Sequence, residues 1–118
     1  MPCTFIVAAN GSRARFFLRP LDCNTLDEVH DVVLPAAHHD AADAQRQLHS
    51  VARYVRQAYT AQAFHDIILI GSAEFLQALR AQLGEPIASL VTGDIEGDCT
   101  RFSPQQLLER IGRELRAH

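Results

Sequence analysis

The chain has 118 residues, of which 47% are hydrophobic and 21% charged. This fits one globular domain that is large enough to bury a core without disulfides or metals. Its net charge of −3 excludes a protein that binds polyanions through bulk positive charge, so contact with nucleic acid would need a local basic patch. No apolar run approaches the roughly 20 residues that span a bilayer, and the N-terminal residues lack the basic and apolar regions of a signal peptide.

Cysteine usage indicates a reducing compartment. The three cysteines, Cys3, Cys23 and Cys99, are scattered along the chain and form no Cys-x-x-Cys pair. The pattern therefore predicts neither a disulfide framework nor a zinc site. We expect a cytoplasmic protein.

The first third of the chain predicts three strands. Cys3 to Ala9 is a short, continuous apolar run, typical of a strand that is covered on both faces. Asn10-Gly11 is a strong hairpin signal, because both residues accept positive φ. Ser12 to Arg19 alternates and predicts a half-buried antiparallel partner. Asp27 to Leu34 predicts a third strand, which Pro35 ends because proline cannot donate to a ladder.

A long helix and a buried strand follow. The polar loop from Ala36 to Asp43 precedes the helix, whose start Asp40 or Asp43 can cap and which runs to about Phe64. Asp66 to Gly71 then predicts a second fully apolar strand. The helix has one apolar stripe at helical spacing: Leu48, Val51, Ala52, Val55, Ala58 and Tyr59.

Two further helices flank a last strand. Ser72 is a good cap for the first of them, which Gly84 stops. Ile87 to Ile95 predicts the fifth strand. Ser103-Pro104 begins the final helix, with serine at the cap and proline at the first helical position.

The order of these elements, β-β-β-α-β-α-β-α, predicts a single α/β domain. Three strands without helices indicate an antiparallel meander, and the later alternation indicates right-handed parallel crossovers. One mixed five-stranded sheet with helices packed on it satisfies both patterns.

Three segments carry a family resemblance. Val7 to Phe17 has a Val-Ala pair, a short polar turn and an Ala-Arg pair; Phe75 to Leu83 contains a Leu-Arg pair and a trailing Leu; Gly97 to Pro104 contains Asp, Thr and Ser-Pro. In this order and spacing they resemble the bacterial host attachment protein family. That family is related in fold to the middle domain of archaeal and eukaryotic peptide-chain release factor 1. The resemblance implies a ribonuclease-H-like sheet with strand order 3-2-1-4-5.

The chain departs from these relatives at two places. Asn10 stands where the host attachment family commonly has Asp. The loop Ala36 to Asp43 lacks the Gly-Gly-Gln tripeptide with which release factors place a water at the peptidyl-tRNA ester. Peptidyl-tRNA hydrolysis by that mechanism is therefore not expected, and the sequence favours a non-enzymatic binding or adaptor domain.

Basic side chains gather on one face of the long helix. Residues 44–65 include no acidic residue, and Arg46, His49, Arg53 and Arg56 share a face because they follow the first at offsets of 3, 7 and 10. Such a stripe can follow phosphates, and the resemblance adds that the matching release-factor helix lies near ribosomal RNA. RNA or the ribosome is the predicted partner. The alternative is a solvated face whose arginine stems cover apolar surface.

Small polar side chains follow the parallel strands. Asn10 and Ser12 come after the first strand, Ser72 after the next, and Asp94 near the end of the last. Because open α/β sheets bind ligands at this edge, a small-molecule or anion-binding protein, or a minor hydrolase, is the second functional hypothesis. The alternative is ordinary strand-to-helix turn chemistry.

Metal-capable side chains precede the long helix. His38, His39 and Asp43 lie close in sequence, but a zinc site needs three or four converging ligands and adjacent histidines point in different directions. A polar loop with a helix cap is the favoured interpretation, and no cofactor is predicted. A ribonuclease-type metal site is rejected because the first strand has no carboxylate.

A third hypothesis is a homodimer formed through an edge strand or an exposed helix face.

Overall fold

The computed structural model describes residues 3–10, 13–20, 26–33, 41–62, 64–97 and 100–116. No helix within these ranges is both long and apolar enough to cross a membrane. The described elements are β1 (Cys3–Ala9), β2 (Arg13–Pro20), β3 (Asp27–Val33), α1 (Ala41–Thr60), β4 (Asp66–Gly71), α2 (Ala73–Leu83), α3 (Glu85–Ala88), β5 (Val91–Glu96) and α4 (Pro104–Arg116).

The five strands form one mixed sheet in the order β3-β2-β1-β4-β5. β1 pairs antiparallel with β2 and parallel with β4, while β3 and β5 form the two edges. The predicted mixed sheet and its strand order 3-2-1-4-5 are confirmed. The central position of β1 explains its composition, since neighbouring strands on both sides and helices above and below bury its residues from Phe5 to Ala9.

Helices cover both faces of the sheet, which makes three layers. On one face, Phe5 of β1 and Val51 of α1 belong to a core cluster that also includes side chains from α2 and α3. On the other face, Ile6 of β1 lies in a second cluster with Leu107 and Ile111 of α4. Alternate residues of β1 therefore belong to two separate cores, as the two-residue period of a strand requires.

The second strand is buried on both faces, so the prediction of a half-buried strand was wrong. Phe17 is fully buried, and Arg15 is only 7% exposed although it is charged. Both side chains are on the opposite side of the sheet from Phe16, which lies in the core cluster that contains Val51 of α1. The alternation of polar and apolar residues predicts that Arg15 faces solvent. In the fold, Arg15 instead lies against the segment that leads into α4.

The long helix occupies Ala41–Thr60, so it begins and ends earlier than the sequence pattern predicts. Asp43 is therefore the third helical residue and not a cap, while Asp40 lies outside the described residues. At the other end, Gln62 has a φ of 57°, which is incompatible with a continued helix. This turn lets Phe64 pack against Phe5 with ring centroids 5.1 Å apart.

The predicted strand Ile87 to Ile95 was wrong in its first half. Residues Glu85–Ala88 form the short helix α3, and the strand β5 begins only at Val91. Gly84 has a φ of 83°, which turns the chain out of α2, and the fixed φ of Pro86 suits the first turn of a new helix. Ile87 is buried although it lies in this helical turn. Its apolar, β-branched side chain therefore indicates a core position and not a strand.

Hydrogen bonds of Asn10 join the β1–β2 hairpin to the segment before α4. Its side-chain oxygen accepts from the backbone N–H of Arg13 at 2.7 Å. Its side-chain nitrogen donates to the hydroxyl of Thr100 at 3.1 Å, and Thr100 is itself 1% exposed. One carboxamide therefore closes the hairpin and holds residue 100 against it.

Arg15 reinforces the same junction from the middle of β2. Its guanidinium donates to the carbonyl oxygens of Thr100 at 3.2 Å and of Phe102. It also forms a two-bond ion pair with Glu28 of β3, with N–O distances of 2.7 and 2.9 Å, and lies over the ring of Phe17. A buried charge of this kind is tolerated because its donors are used in charge-assisted bonds.

Gly71, the last residue of β4, lies so close to β1 that a side chain there would be crowded. A Cβ there would lie 3.0 Å from the carbonyl oxygen of Ala9. We expect Gly71→Ala to lower the free energy of unfolding by about 1–3 kcal/mol, because the backbone of a central strand cannot rotate away. Urea unfolding measures this, and an unchanged midpoint would contradict the close approach.

Gly112 in α4 provides the matched control. A Cβ there meets nothing within 4 Å, and the residue is helical. Gly112→Ala is expected to raise the free energy of unfolding by about 0.5–1 kcal/mol, since alanine has the higher helix propensity. The same Gly→Ala change should thus have opposite signs at the two positions.

Asn10 offers a second test of the fold. Asn10→Asp keeps the acceptor for the N–H of Arg13, and the Thr100 hydroxyl can donate to the new carboxylate in the reverse direction. We expect it to change the free energy of unfolding by less than about 1 kcal/mol, whereas Asn10→Leu removes both bonds and should cost about 1–3 kcal/mol. Thermal and urea unfolding compare the two variants. Equal losses would contradict the conclusion that these two side-chain bonds hold the junction.

Candidate nucleic-acid interface

The outward face of α1 carries the basic side chains that the sequence predicts to contact RNA. Arg46, His49, Arg53 and Arg56 are all exposed. From the first to the last of them the helix axis rises by about 15 Å. The opposite side of α1 packs on the sheet through Leu48, Val51, Ala52 and Val55.

These basic side chains differ in how far the fold engages them. Arg56 donates to the carbonyl oxygen of Gln82 at 2.9 Å, which ties α1 to the end of α2. Arg53 has no hydrogen-bond or ion-pair partner in the described part of the chain. The N–H donors of its guanidinium can therefore bind other groups. Arg53 is therefore the cation on this face that is best placed to receive an anion.

Within the described residues, two concave regions adjoin α1, and both are lined by Arg53 and Gln57. The larger has a volume of about 480 Å³, and its lining residues are Arg53, Arg56, Gln57, Thr60 and Ala61. The smaller has a volume of about 300 Å³, and its lining residues are Phe16, Gln47, Ser50, Val51, Arg53, Tyr54 and Gln57. The first contains two arginines, whereas the second combines two aromatic rings with one arginine and several uncharged polar side chains.

The larger region suits an anion. Arg53 and Arg56 supply guanidinium donors, Gln57 adds a carboxamide, and no acidic side chain is among its described lining residues. Guanidinium groups bind phosphate through paired, charge-assisted hydrogen bonds. The arrangement therefore offers guanidinium donors to a phosphate group at the surface of α1.

Sequence reasoning missed Gln47 as a candidate site residue. Its side chain is 1% exposed, and neither its nitrogen nor its oxygen has a hydrogen-bond partner within the described residues. A signal was present in the sequence, because Gln47, Val51 and Tyr54 follow one another at helical spacing along the border of the apolar stripe. Buried carboxamides without a partner are rare in folded proteins, because an unsatisfied buried donor or acceptor costs stability.

The polar residues predicted at the ends of the parallel strands have separate structural partners. Ser72 caps α2 by accepting from the N–H of Phe75 at 3.2 Å, and Asp94 pairs with Arg80 of α2. Asn10 bonds within the hairpin and to Thr100. Ser12 lies outside the described residues. These contacts favour ordinary turn chemistry, and a ligand site at this edge stays a prediction.

The metal-capable residues before α1 lie mostly beyond the described part. His38 and His39 are outside it, and Asp43 is known only as a helical position of α1. Among the residues that the structure does describe, no group of three or more His, Cys, Asp or Glu side chains could hold a metal ion. The interpretation of this loop therefore rests on the sequence.

Solved structures show the same fold at very low sequence identity. The archaeal translation termination factor aRF1 matches with a TM-score of 0.61 and 10% identity over 98% of this chain and 39% of its own. An archaeal protein matches with a TM-score of 0.55, 9% identity, and coverages of 98% and 38%. The type II variant of the Aquifex aeolicus Ppx/GppA phosphatase matches with a TM-score of 0.52, 7% identity, and coverages of 81% and 36%. This chain thus spans well under half of each of these proteins.

Comparison with curated proteins finds no match. A family profile, described as "protein required for attachment to host cells", matches residues 30–111, which is more than two thirds of the chain. With the release-factor-like fold, this bears out the resemblance seen in the sequence. The chain belongs to the host attachment family.

Proposed function

We propose that this protein is a non-enzymatic adaptor domain that binds RNA, in the free form or on the ribosome, through the outward face of α1. The observation that carries the proposal is Arg53, an exposed and unpaired guanidinium in the described structure, which lines two concave regions at once. The proposal places the protein in the cytoplasm, where such a partner is present.

Local charge supports the proposal better than overall charge does. The molecule carries a net charge of −3, yet residues 44–65 contain three arginines and no acidic residue. Binding to phosphates depends on the cations within about one Debye length, roughly 8–10 Å, more than on distant charges. A face about 15 Å long can therefore attract a short stretch of an RNA backbone.

The comparisons add support at the level of fold. A translation termination factor, a protein of protein synthesis, has the same architecture. At 10% identity this likeness concerns the fold alone. Because the chain has no Gly-Gly-Gln tripeptide, the proposal includes contact with RNA and excludes peptidyl-tRNA hydrolysis by that mechanism.

A homodimer is a separate proposal from the RNA interface. It would use an edge strand, β3 or β5, or an exposed helix face. A mass in solution near twice that of one chain would support it, and the mass of a single chain at high protein concentration would contradict it.

Salt dependence tests the RNA interface. For single strands, the logarithm of the association constant falls with the logarithm of salt concentration at a slope of about −0.7 per neutralised phosphate. Three arginines on α1 therefore predict a slope of about −2. We expect a variant with Arg46→Gln, Arg53→Gln and Arg56→Gln to bind at least tenfold more weakly at low salt, with a slope near zero. Fluorescence anisotropy with labelled single-stranded RNA measures both quantities.

Arg113 of α4 supplies the control for this experiment. It is exposed and lies on the helix that covers the opposite face of the sheet. Arg113→Gln makes the same charge change as Arg53→Gln and should leave affinity and slope nearly unchanged, whereas Arg53→Gln alone should make the slope shallower by about 0.7. Equal effects at the two positions would mean that RNA is attracted by overall charge, which contradicts the proposal. Co-sedimentation with ribosomes at two salt concentrations then tests the ribosomal partner.

A further inference from the structure

His49 lies in the middle of the basic face of α1. It follows Arg46 by three residues and precedes Arg53 by four, so both arginines are its neighbours on the helix surface. The helix rises by about 4.5 Å from Arg46 to His49 and by about 6 Å from His49 to Arg53. The side chain of His49 is exposed and has no hydrogen-bond or ion-pair partner among the described residues. An RNA strand that contacts both arginines therefore lies against the imidazole.

Within the part of the chain that the structure describes, no acidic side chain is paired with this imidazole. The helix beside α1 is α2, whose charged residues are Glu74 and Arg80. Arg80 pairs with Asp94 of β5, and Glu74 forms no ion pair with His49. The strands beneath α1 contribute apolar side chains to the core that they share with it. The charged groups that share the helix face with His49 are therefore cations.

The imidazole is the group on this face whose charge can change near neutral pH. A histidine side chain ordinarily gains a proton and a positive charge between about pH 8 and 5. Arginine stays charged throughout that range. The number of cations on the face therefore rises from three to four when His49 is protonated. A phosphate beside the ring favours the charged form, because opposite charges within about 4–6 Å attract each other.

We propose that His49 makes RNA binding pH-dependent: the protonated imidazole contacts a backbone phosphate between those held by Arg46 and Arg53, and the neutral imidazole does not. This inference rests on the proposed function and adds a means of regulation to the same site. Binding of RNA and binding of the proton are then linked, so each strengthens the other. Acidification therefore tightens the complex, and a rise in pH weakens it.

The test measures the affinity of the full chain for an oligouridine octamer at about pH 6 and about pH 7.5, a range in which histidine titrates. The octamer has hydroxyl ends, because a terminal phosphate itself titrates with a pKa near 6, and its fluorescent label has no titrating group. Uracil and the phosphodiester groups keep their charge in this range, so a change in affinity originates in the protein. A salt concentration of about 0.1 M limits the influence of distant histidines, since the Debye length is then about 10 Å.

We expect the wild-type protein to bind about three- to fivefold more tightly at the lower pH. One added phosphate contact, with a slope of about −0.7, changes the affinity about fivefold between 1 M and 0.1 M salt. The slope itself should become steeper by up to about 0.7 at the lower pH. Fluorescence anisotropy measures both quantities.

Three substitutions at exposed histidines identify the group that titrates. His49→Gln should bind with the weaker affinity at both pH values, because the imidazole is absent. His49→Lys stays charged and should bind with the tighter affinity at both, which also shows that the fold is intact at the lower pH. His65→Gln is the matched control, since His65 is exposed, lies outside the basic face and is 3.7 Å from Asp66. It should keep the pH dependence of the wild-type protein.

The remaining outcomes separate the two proposals. Equal wild-type affinity at the two pH values, or a pH dependence that survives in His49→Gln, would overturn the role of His49 and leave the RNA interface standing. Equal loss of the pH dependence in His49→Gln and His65→Gln would assign it to overall charge and overturn that role as well. No binding of the octamer at either pH, even at low salt, would overturn the RNA interface, and the pH dependence with it.

Discussion

The central strand β1 pairs with a strand along each edge and packs against a core on each face. These two pairings and two cores determine where the other elements lie. The antiparallel edge of β1 requires a tight hairpin into β2, and its parallel edge requires a crossover, which α1 supplies before β4. The end of β4 approaches so closely that a Cβ at residue 71 would lie 3.0 Å from the carbonyl oxygen of Ala9. The last of the parallel strands, β5, then pairs with β4 and not with β1. The sheet thus extends outward from one strand whose side chains from Phe5 to Ala9 all belong to a core.

The location of the candidate interface follows from this arrangement. α1 must bury its apolar stripe on the face of the sheet that carries Phe5 and Phe16. The opposite side of the helix then faces away from the sheet, and all four basic side chains lie there because they repeat with the same period as the stripe. The smaller cavity arises along the border of the stripe, where Gln47 and Tyr54 meet Phe16 of β2. Arg53 belongs to both regions because it lies one turn beyond Ser50 on the outward side.

Sequence reasoning succeeded where a pattern depends on local chemistry. The apolar run of β1, the cap at Ser72 and the basic face of α1 are all present as predicted. It failed where a distant segment decides the environment. Arg15 alternates with apolar residues, which is the pattern of a solvent-facing side chain. It is buried because its guanidinium donates to the carbonyl oxygens of Thr100 and Phe102, which are far along the chain. Ile87 was assigned to a strand because apolar β-branched residues signal burial, and burial from a helical turn gives the same signal.

The sequence by itself determined the class of the fold, the order of the strands through the family resemblance, and the set of arginines that share one side of α1. These depend on short-range periodicity, turn residues and capping, all of which can be read from neighbours in the chain. The tertiary structure decided that Arg15 is a buried anchor, that Arg53 lines two concave regions, and that Gln47 is buried without a hydrogen-bond partner in the described residues. Burial and hydrogen-bond satisfaction depend on atoms that long-range packing brings together, and no local pattern records which atoms those are.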